Sequence, residues 1–142
     1  MLNPDDATIR QILTNPGTVA VVGWSPNPAR PSHGVAAFLG AHGWRVFPVN
    51  PGQAGTPYGT DKVYASVRDI PADAGVTMVD VFRQSDAVPA LVDEAMEALP
   101  DLKVVWMQLG VTHEVAADKA RAKGITVVQD RCPVIEMRRL GI

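Results

Sequence analysis

The sequence has little of what marks a secreted, membrane-bound or nucleic-acid-binding protein. Its 142 residues include one cysteine, Cys132, which cannot form an internal disulfide and suits a reducing compartment. No apolar run has the length of a signal peptide or of a membrane span. The 13 basic and 15 acidic residues give a net charge of -2, so no general attraction to nucleic acid or to an anionic membrane is expected. We therefore expect a cytoplasmic protein without a nucleic-acid or membrane partner, and any anion site must be local.

Motifs of several common cofactors are missing as well. The P-loop pattern G-x-x-x-x-G-K-[ST] is absent, and no group of cysteine and histidine residues has the spacing of metal ligands. The tryptophans at positions 24, 44 and 106 are not interleaved with basic residues, as they would be on a nucleic-acid platform. The sequence thus predicts no metal site, and it identifies no catalytic residue.

What the sequence does contain is a regular alternation of strand and helix patterns. Continuous apolar runs that lack in/out alternation are typical of strands buried on both faces. Such runs predict strands at residues 18–22, 45–49, 76–82, 103–107 and 125–129, with a short additional strand around residues 63 and 64. A chain of 142 residues with 46% hydrophobic content can bury one core, so we expect a single domain over residues 1–142.

Helix signals fall between these strands. Asn3 predicts the N-cap of a leading helix, and Ser32 predicts the N-cap of a helix that runs through His42. Amphipathic patterns predict helices at residues 85–99 and 112–123, and a last helical turn follows from Pro133. The alternation predicts an α/β fold, a Rossmann-like, doubly wound and mostly parallel sheet of five or six strands with helices on both faces.

Ligands of such folds bind beyond the carboxyl ends of the strands, so the residues at these ends form the candidate site. In chain order they are Gly23, Trp24, Ser25, Arg30, Ser32, Val49, Asn50, Pro51, Phe82, Arg83, Gln108, Gly110, Arg131 and Cys132. Three of them are arginines in different loops, which we expect to meet in one crevice. Together with free N–H groups at the helix start near Ser32, these arginines predict a pocket for phosphate groups.

Two features narrow the choice of nucleotide. NAD sites of this fold carry G-x-G-x-x-G after the first strand and an acidic residue at the end of the second strand. Here the first turn reads GWSPNP and the second strand ends in VFPVNP, which disfavours ordinary NAD binding. A ligand whose ribose carries a phosphate does not need that carboxylate, and coenzyme A is one such ligand. The prolines of the first loop are predicted to hold the loop in one shape and so to lower the entropy lost on binding.

Five segments carry a family resemblance: GWSPNPARPS, FPVNP, VDVFRQS, VVWMQLGV and VVQDRCP. In this order they resemble the single-domain CoA-binding protein family, which is similar to the N-terminal CoA-binding domain of the succinyl-CoA synthetase α subunit. The resemblance spans roughly residues 10–137 of the chain. It implies that the ligand is coenzyme A or an acyl-CoA.

The resemblance also assigns the candidate residues to successive parts of coenzyme A. It implies that the pyrophosphate is held by Gly23, Ser25, Arg30 and Ser32, and that the adenosine is flanked by Val49, Asn50 and Pro51. It places Phe82 and Arg83 along the nucleotide crevice, Gln108 and Gly110 toward the pantetheine arm, and Arg131 and Cys132 near the thiol end.

Two departures from the synthetase pattern matter. Synthetase α subunits have a lysine close to the ribose phosphate, after the Pro-Gly that follows the second strand, and Gln53 stands at that position here. The charge must then come from Arg30, Lys62 or Arg83. The synthetases also carry their phosphorylated catalytic histidine in a second domain that is missing from this sequence, so synthetase activity by this chain alone is not expected.

The sequence favours non-catalytic binding of coenzyme A or an acyl-CoA, and it leaves an enzyme as the alternative. Cys132 could act as the nucleophile of a CoA-dependent acyltransferase, with a histidine from among His33, His42 and His113 as its base. An NADP-linked redox protein is the other enzymatic possibility. Cysteine is more often a small buried hydrophobic residue than a nucleophile, which favours binding. The sequence specifies neither a protein partner nor an oligomeric state.

Overall fold

The centre of the computed structural model, which describes residues 2–142, is a sheet of five parallel strands. In chain order the strands are β1 (Thr18–Val22), β2 (Arg45–Val49), β3 (Pro57–Tyr58), β4 (Asp61–Lys62), β5 (Val76–Val81), β6 (Val104–Met107) and β7 (Thr126–Val128). The five-stranded sheet has the order β2-β1-β5-β6-β7, whereas β3 and β4 form a separate antiparallel hairpin. Met1, the first residue of the predicted domain, lies outside the described residues.

Helices cover both faces of this sheet. They are α1 (Asp6–Thr14), α2 (Pro31–Ala41), α3 (Val88–Ala98), α4 (Glu114–Ala122) and α5 (Pro133–Leu140). Buried residues of α1, α2 and α5 share one apolar cluster with one side of the strands, and those of α3 and α4 share the cluster on the other side. The predicted doubly wound α/β fold is therefore confirmed, with five strands in its main sheet. Within residues 2–142, no helix combines the length and the apolar character needed to cross a membrane.

The order of the strands locates the crevice of the fold. The chain passes from β1 to β2 on one side and then returns to place β5 on the other side of β1. The chain after β1 leads to α2 on one face of the sheet and the chain after β5 leads to α3 on the other face, so a crevice opens at the carboxyl ends of these strands. Residues 19–22 of β1 are all buried, which explains why this strand reads as a continuous apolar run.

The leading helix begins later than its sequence predicts. The N-cap is Asp5, whose Oδ1 accepts a hydrogen bond from the Thr8 N–H at 2.9 Å. Asn3 instead pairs with the backbone of Gln129: its Nδ2 donates to the Gln129 carbonyl at 2.9 Å, and its Oδ1 accepts from the Gln129 N–H at 2.7 Å. The predicted cap is wrong because Asn3 ties the N-terminal segment to the end of β7.

Ser32 is not the N-cap of α2 either. Arg30 occupies the N-cap position and Pro31 is the first helical residue, a position that proline favours because its fixed φ suits the helix and no N–H is needed there. Ser32 is thus inside the first turn, and its side chain is buried. Its Oγ accepts a hydrogen bond from the Ser25 N–H at 3.0 Å, so it closes the loop rather than capping the helix.

Other boundaries shift by a few residues. The predicted helix at 85–99 is a short 3-10 turn, Ser85–Ala87, followed by α3. The predicted strand around residues 63 and 64 is reduced to one parallel bridge between Val49 and Tyr64, next to the β3–β4 hairpin. The last turn extends to the eight-residue helix α5. These differences lie at the ends of elements and do not change the order of the fold.

Candidate functional site

Two adjoining cavities lie at the carboxyl ends of β1, β2 and β5. The larger cavity has a volume of about 690 Å³ and runs between the loop after β2, residues 65–67 and α3. The smaller cavity has a volume of about 340 Å³ and lies between the loop after β1 and the start of α2. Gly23, Asn50 and Phe82 line both cavities, so the two are connected at the point where the strand order reverses.

Gly23 is the residue that lets the loops after β1 and β5 approach each other. Its φ is +87°, and a Cβ at this position would lie 2.2 Å from the Phe82 carbonyl oxygen and 3.3 Å from Arg83 Cδ. Its N–H donates to the Val49 carbonyl at 2.9 Å, which joins it to the end of β2 as well. Only glycine fits between these backbones, and Gly23 lines both cavities.

The proline-containing loop after β1 is folded by its own polar side chains. Ser25 Oγ accepts from the Asn27 N–H at 3.1 Å, and Asn27 Oδ1 accepts from the Ala29 N–H at 3.0 Å. The His33 Nδ1 lies 3.0 Å from the Ser25 carbonyl, and because a carbonyl only accepts, that nitrogen carries the proton. These bonds give the loop one defined shape without the glycines of a dinucleotide-binding turn.

The smaller cavity has the character of an anion site. No side chain of residues 2–142 caps the start of α2, so the partial positive charge of the helix N-terminus is directed at the cavity. Ser32 lines the cavity, and after accepting from Ser25 its hydroxyl can still donate a hydrogen bond. Arg30 adds a full positive charge at the exposed rim.

The end of β2 carries an amide where NAD-binding folds carry a carboxylate. Asn50 Nδ2 donates to the Trp24 carbonyl at 2.7 Å, and its Oδ1 accepts from the Gly52 N–H at 2.9 Å. The side chain therefore joins the loop after β1 to the loop after β2. Asn50 positions both loops around the cavities through these two bonds.

The structure brings together ten of the fourteen candidate residues. The two cavities are lined by Gly23, Trp24, Ser25, Arg30, Ser32, Val49, Asn50, Pro51, Phe82 and Arg83. The remaining four candidates, at the ends of β6 and β7, line neither cavity.

Arg131 does not join the other two arginines. β5 and β6 lie between β1 and β7, so the loop after β7 is three strands away from the loop after β1. Arg131 Nη1 donates to the Asp130 carbonyl at 2.9 Å, and its Nε lies 3.8 Å from the buried carboxylate of Glu136. The expected meeting of three arginines in one crevice is thus corrected to two, Arg30 and Arg83.

The other outlying candidates have structural partners of their own. Gly110 N–H donates to Asp130 Oδ1 at 2.7 Å, which joins the loops after β6 and β7. Gln108 Nε2 donates to Asp80 Oδ1 at 2.8 Å. Cys132 is 8% exposed and belongs to the apolar cluster beneath α1, α2 and α5. These contacts leave the roles that the resemblance implies for the four residues as predictions.

Two walls of the larger cavity are formed by residues that the sequence did not identify as candidates. One is the segment of residues 65–67, which carries no motif. The other is a stripe formed by Ala87, the N-cap of α3, and by Ala90, Leu91 and Glu94 of that helix. Their spacing of three, four and seven residues marks one face of a helix and was the available signal.

Asp80 is a second feature that the sequence reasoning missed. It lies inside β5, in register between Val21 and Trp106, and is fully buried. Its Oδ2 has no hydrogen-bond partner among the described residues. Burial raises the pKa of this carboxyl to about 7, against the lowering effect of the hydrogen bond from Gln108. Asp80 lies two residues before Phe82, which lines both cavities.

Comparison with known proteins adds a family. A family model described as a CoA binding domain matches residues 17–138. The uncharacterised protein YneT of Bacillus subtilis is 36% identical over 132 residues, which cover 93% of either chain. The solved structure of a hypothetical protein from Pyrococcus horikoshii is 35% identical in sequence and has a TM-score of 0.86. The match covers 98% of this chain and 94% of that protein.

A larger enzyme contains a similar region. A dinucleotide-forming acetyl-coenzyme A synthetase from Candidatus Korarchaeum cryptofilum, solved in complex with phosphate and ADP, is 25% identical with a TM-score of 0.65. The match covers 81% of this chain but 26% of the synthetase. The likeness is therefore to one part of that enzyme.

Proposed function

This chain belongs to the CoA binding domain family, and from that premise we propose that it binds coenzyme A or an acyl-CoA without catalysing a reaction on it. The observation that carries the proposal is the pair of connected cavities at the strand ends. One cavity offers hydrogen-bond donors and a cation, and the other is long and largely apolar. A nucleotide with a pyrophosphate next to an adenosine likewise has a charged part and a largely apolar part.

The pyrophosphate is assigned to the smaller cavity. The Ser32 hydroxyl and the start of α2 supply neutral donors there, the lack of a side chain at Gly23 lets an anion come close to the backbone, and Arg30 supplies charge. The folded shape of the proline-containing loop supports this assignment, because donors that are already in place lose little entropy when an anion binds.

The adenosine is assigned to the larger cavity, where Val22, Val49 and Pro51 offer apolar surface. Arg83 is the cation that lines this cavity, and its Cδ lies close to Gly23, at the junction. We assign the ribose phosphate to Arg83. Lys62 lines neither cavity and lies over the Tyr64 ring, with Nζ 5.4 Å from the ring centre, so it is the weaker choice.

The pantetheine arm is assigned to the edge formed by the ends of β5, β6 and β7. Gln108 and Gly110 follow β6, and Arg131 and Cys132 follow β7. Neighbouring strands are 4.7–4.9 Å apart, so the arm spans roughly 14 Å from β1 to β7. This path takes the thiol toward the start of α5.

The burial of Cys132 supports a function without catalysis. The side chain is packed in the apolar cluster of α1, α2 and α5 and lines neither cavity. A buried cysteine in apolar surroundings behaves as a small hydrophobic residue. Since this cysteine is the single one in the chain and forms no disulfide, we also propose that the protein works in the cytoplasm.

Calorimetric titration of purified protein with coenzyme A, dephospho-CoA and NADP tests the proposal. We expect the tightest binding with coenzyme A. We also expect Arg30→Ala and Arg83→Ala each to weaken binding by about 1.5–3 kcal/mol, the range for hydrogen bonds to charged groups. Arg10→Ala, which removes an exposed charge from α1, is the matched control and should leave the Kd unchanged.

Three results of this titration would count against the proposal. Tighter binding of NADP than of coenzyme A would favour the redox alternative. A small effect of both arginine variants would mean that the phosphates bind elsewhere. A CoA-dependent acyl transfer that Cys132→Ser abolishes would establish the enzyme instead.

A further inference from the structure

One face of α3 forms a wall of the larger cavity and ends in an acidic residue. Ala87, Ala90 and Leu91 present only methyl and isobutyl groups to the cavity, and Glu94 follows them on the same face. Glu94 follows Ala87 by seven positions, which is about 10 Å along a helix. Glu94 lines the larger cavity and not the smaller one, and it lies about two helical turns beyond Ala87.

Another wall of the cavity is the segment of residues 65–67. Ala65 and Val67 are apolar, and Ser66 Oγ accepts from the Arg68 N–H at 3.1 Å, which leaves the hydroxyl hydrogen free to donate. Small and apolar residues of α3 and of the 65–67 segment thus line the cavity, together with the polar groups of Ser66 and Glu94. This is the distribution that a flat aromatic ring with a polar edge requires.

Glu94 has free capacity to accept hydrogen bonds. Its one ionic contact within residues 2–142 is with Arg68, whose Nε lies 3.6 Å from Glu94 Oε2. Arg68 directs its Nη2 to Glu97 instead, at 3.0 Å. No hydrogen bond from a described residue reaches the Glu94 side chain, which is 30% exposed.

We infer that Glu94 selects the base of the bound nucleotide by accepting a hydrogen bond from the exocyclic 6-amino group of adenine. The inference rests on the proposed function and adds the residue that determines the base. An ionised carboxylate only accepts hydrogen bonds, and the amino group is the donor on that edge of adenine. The ribose and its phosphate stay near Arg83, since a phosphate beside Glu94 would be repelled.

The same geometry rejects a purine with a carbonyl at position 6. In hypoxanthine the amino group is replaced by an oxygen, so two acceptors would face each other unless the ring shifts in the cavity and brings its N1–H to Glu94. A glutamine in place of Glu94 keeps the shape of the side chain but can donate as well as accept. Glu94→Gln should therefore tolerate both bases, which separates the recognition of the base from the packing of α3.

The test is a calorimetric titration with coenzyme A and with its analogue in which hypoxanthine replaces adenine. We expect the wild-type protein to bind coenzyme A at least about tenfold more tightly than the analogue, as for a hydrogen bond to a charged group. We expect Glu94→Gln to bring the ratio of the two Kd values close to one. Glu97→Gln removes the other carboxylate that contacts Arg68 but does not line the cavity, so it should keep the wild-type ratio.

Each contrary result has a distinct meaning. Equal affinities of the wild-type protein for the two ligands would overturn the inference and leave the proposed function standing. A strong preference for adenine that Glu94→Gln retains would also overturn it, because another group would then read the base. Failure of the wild-type protein to bind either ligand would overturn both the inference and the proposed function.

Discussion

Asp80 has a carboxyl group that is fully buried from solvent in the middle of the parallel sheet. Its pKa of about 7 in the folded protein, against 3.8 for an ordinary aspartate, means that the folded chain holds a proton which the unfolded chain has released. The stability that this proton confers is complete below about pH 4 and is lost as the pH rises through about 7.

Asp80→Asn should remove this dependence on pH. Between about pH 4 and 7 the wild-type protein should lose up to about 1.4 kcal/mol of unfolding free energy per pH unit from this group, and the variant should lack that slope. Urea denaturation at several pH values measures it, with Asp101→Asn, at an exposed position, as the control that keeps the wild-type slope. An unchanged slope in Asp80→Asn would show that the carboxyl is ionised in the folded state.

Gly23 is the residue on which the junction of the cavities depends. Gly23→Ala should lower the free energy of unfolding by more than the roughly 1–2 kcal/mol of a left-handed backbone, because the new Cβ also meets the Phe82 carbonyl. Gly55→Ala is the control: its φ is also +87°, but no atom lies within 4 Å of the new Cβ. Equal losses in the two variants, measured by urea denaturation, would argue against a close approach of the two loops.

At the scale of elements, the loops after β1 and β2 act as one unit because Asn50 joins them. Asn50→Ala removes two hydrogen bonds, each worth about 0.5–1.5 kcal/mol, so we expect a moderate loss of stability and weaker binding of coenzyme A. Asn27→Ala removes one bond within the first loop only and should affect binding less. Calorimetry that finds no difference between these variants would refute the positioning role of Asn50.

The sequence predicted the elements where apolar pattern alone decides the structure. The five main strands were found because strands buried on both faces read as continuous apolar runs, and β5 was found although Asp80 interrupts its run. The start of α2 was misplaced because the cap preference of Ser32 competes with the preference of Pro31 for the first turn. The hairpin of β3 and β4 was missed because two-residue strands carry no period.

Over the molecule as a whole, the site residues that can be predicted from the sequence are those that the fold itself brings together at the strand ends. The carboxyl ends of neighbouring strands gather the loops after β1, β2 and β5, so ten candidate residues from these loops line connected cavities. The position of Arg131 depended on the spatial order of the strands, which a linear sequence does not specify. The contribution of α3 depended on which face of that helix turns to the crevice.

A crystal structure of the complex with coenzyme A would show where the pyrophosphate and the adenine bind. We predict that the pyrophosphate contacts the backbone at Gly23, the Ser32 hydroxyl and Arg30, and that the adenine lies between residues 65–67 and α3. Coenzyme A bound with its phosphates on the loops after β6 and β7, and with both cavities empty, would contradict the assignment of the pyrophosphate and the adenosine to these cavities.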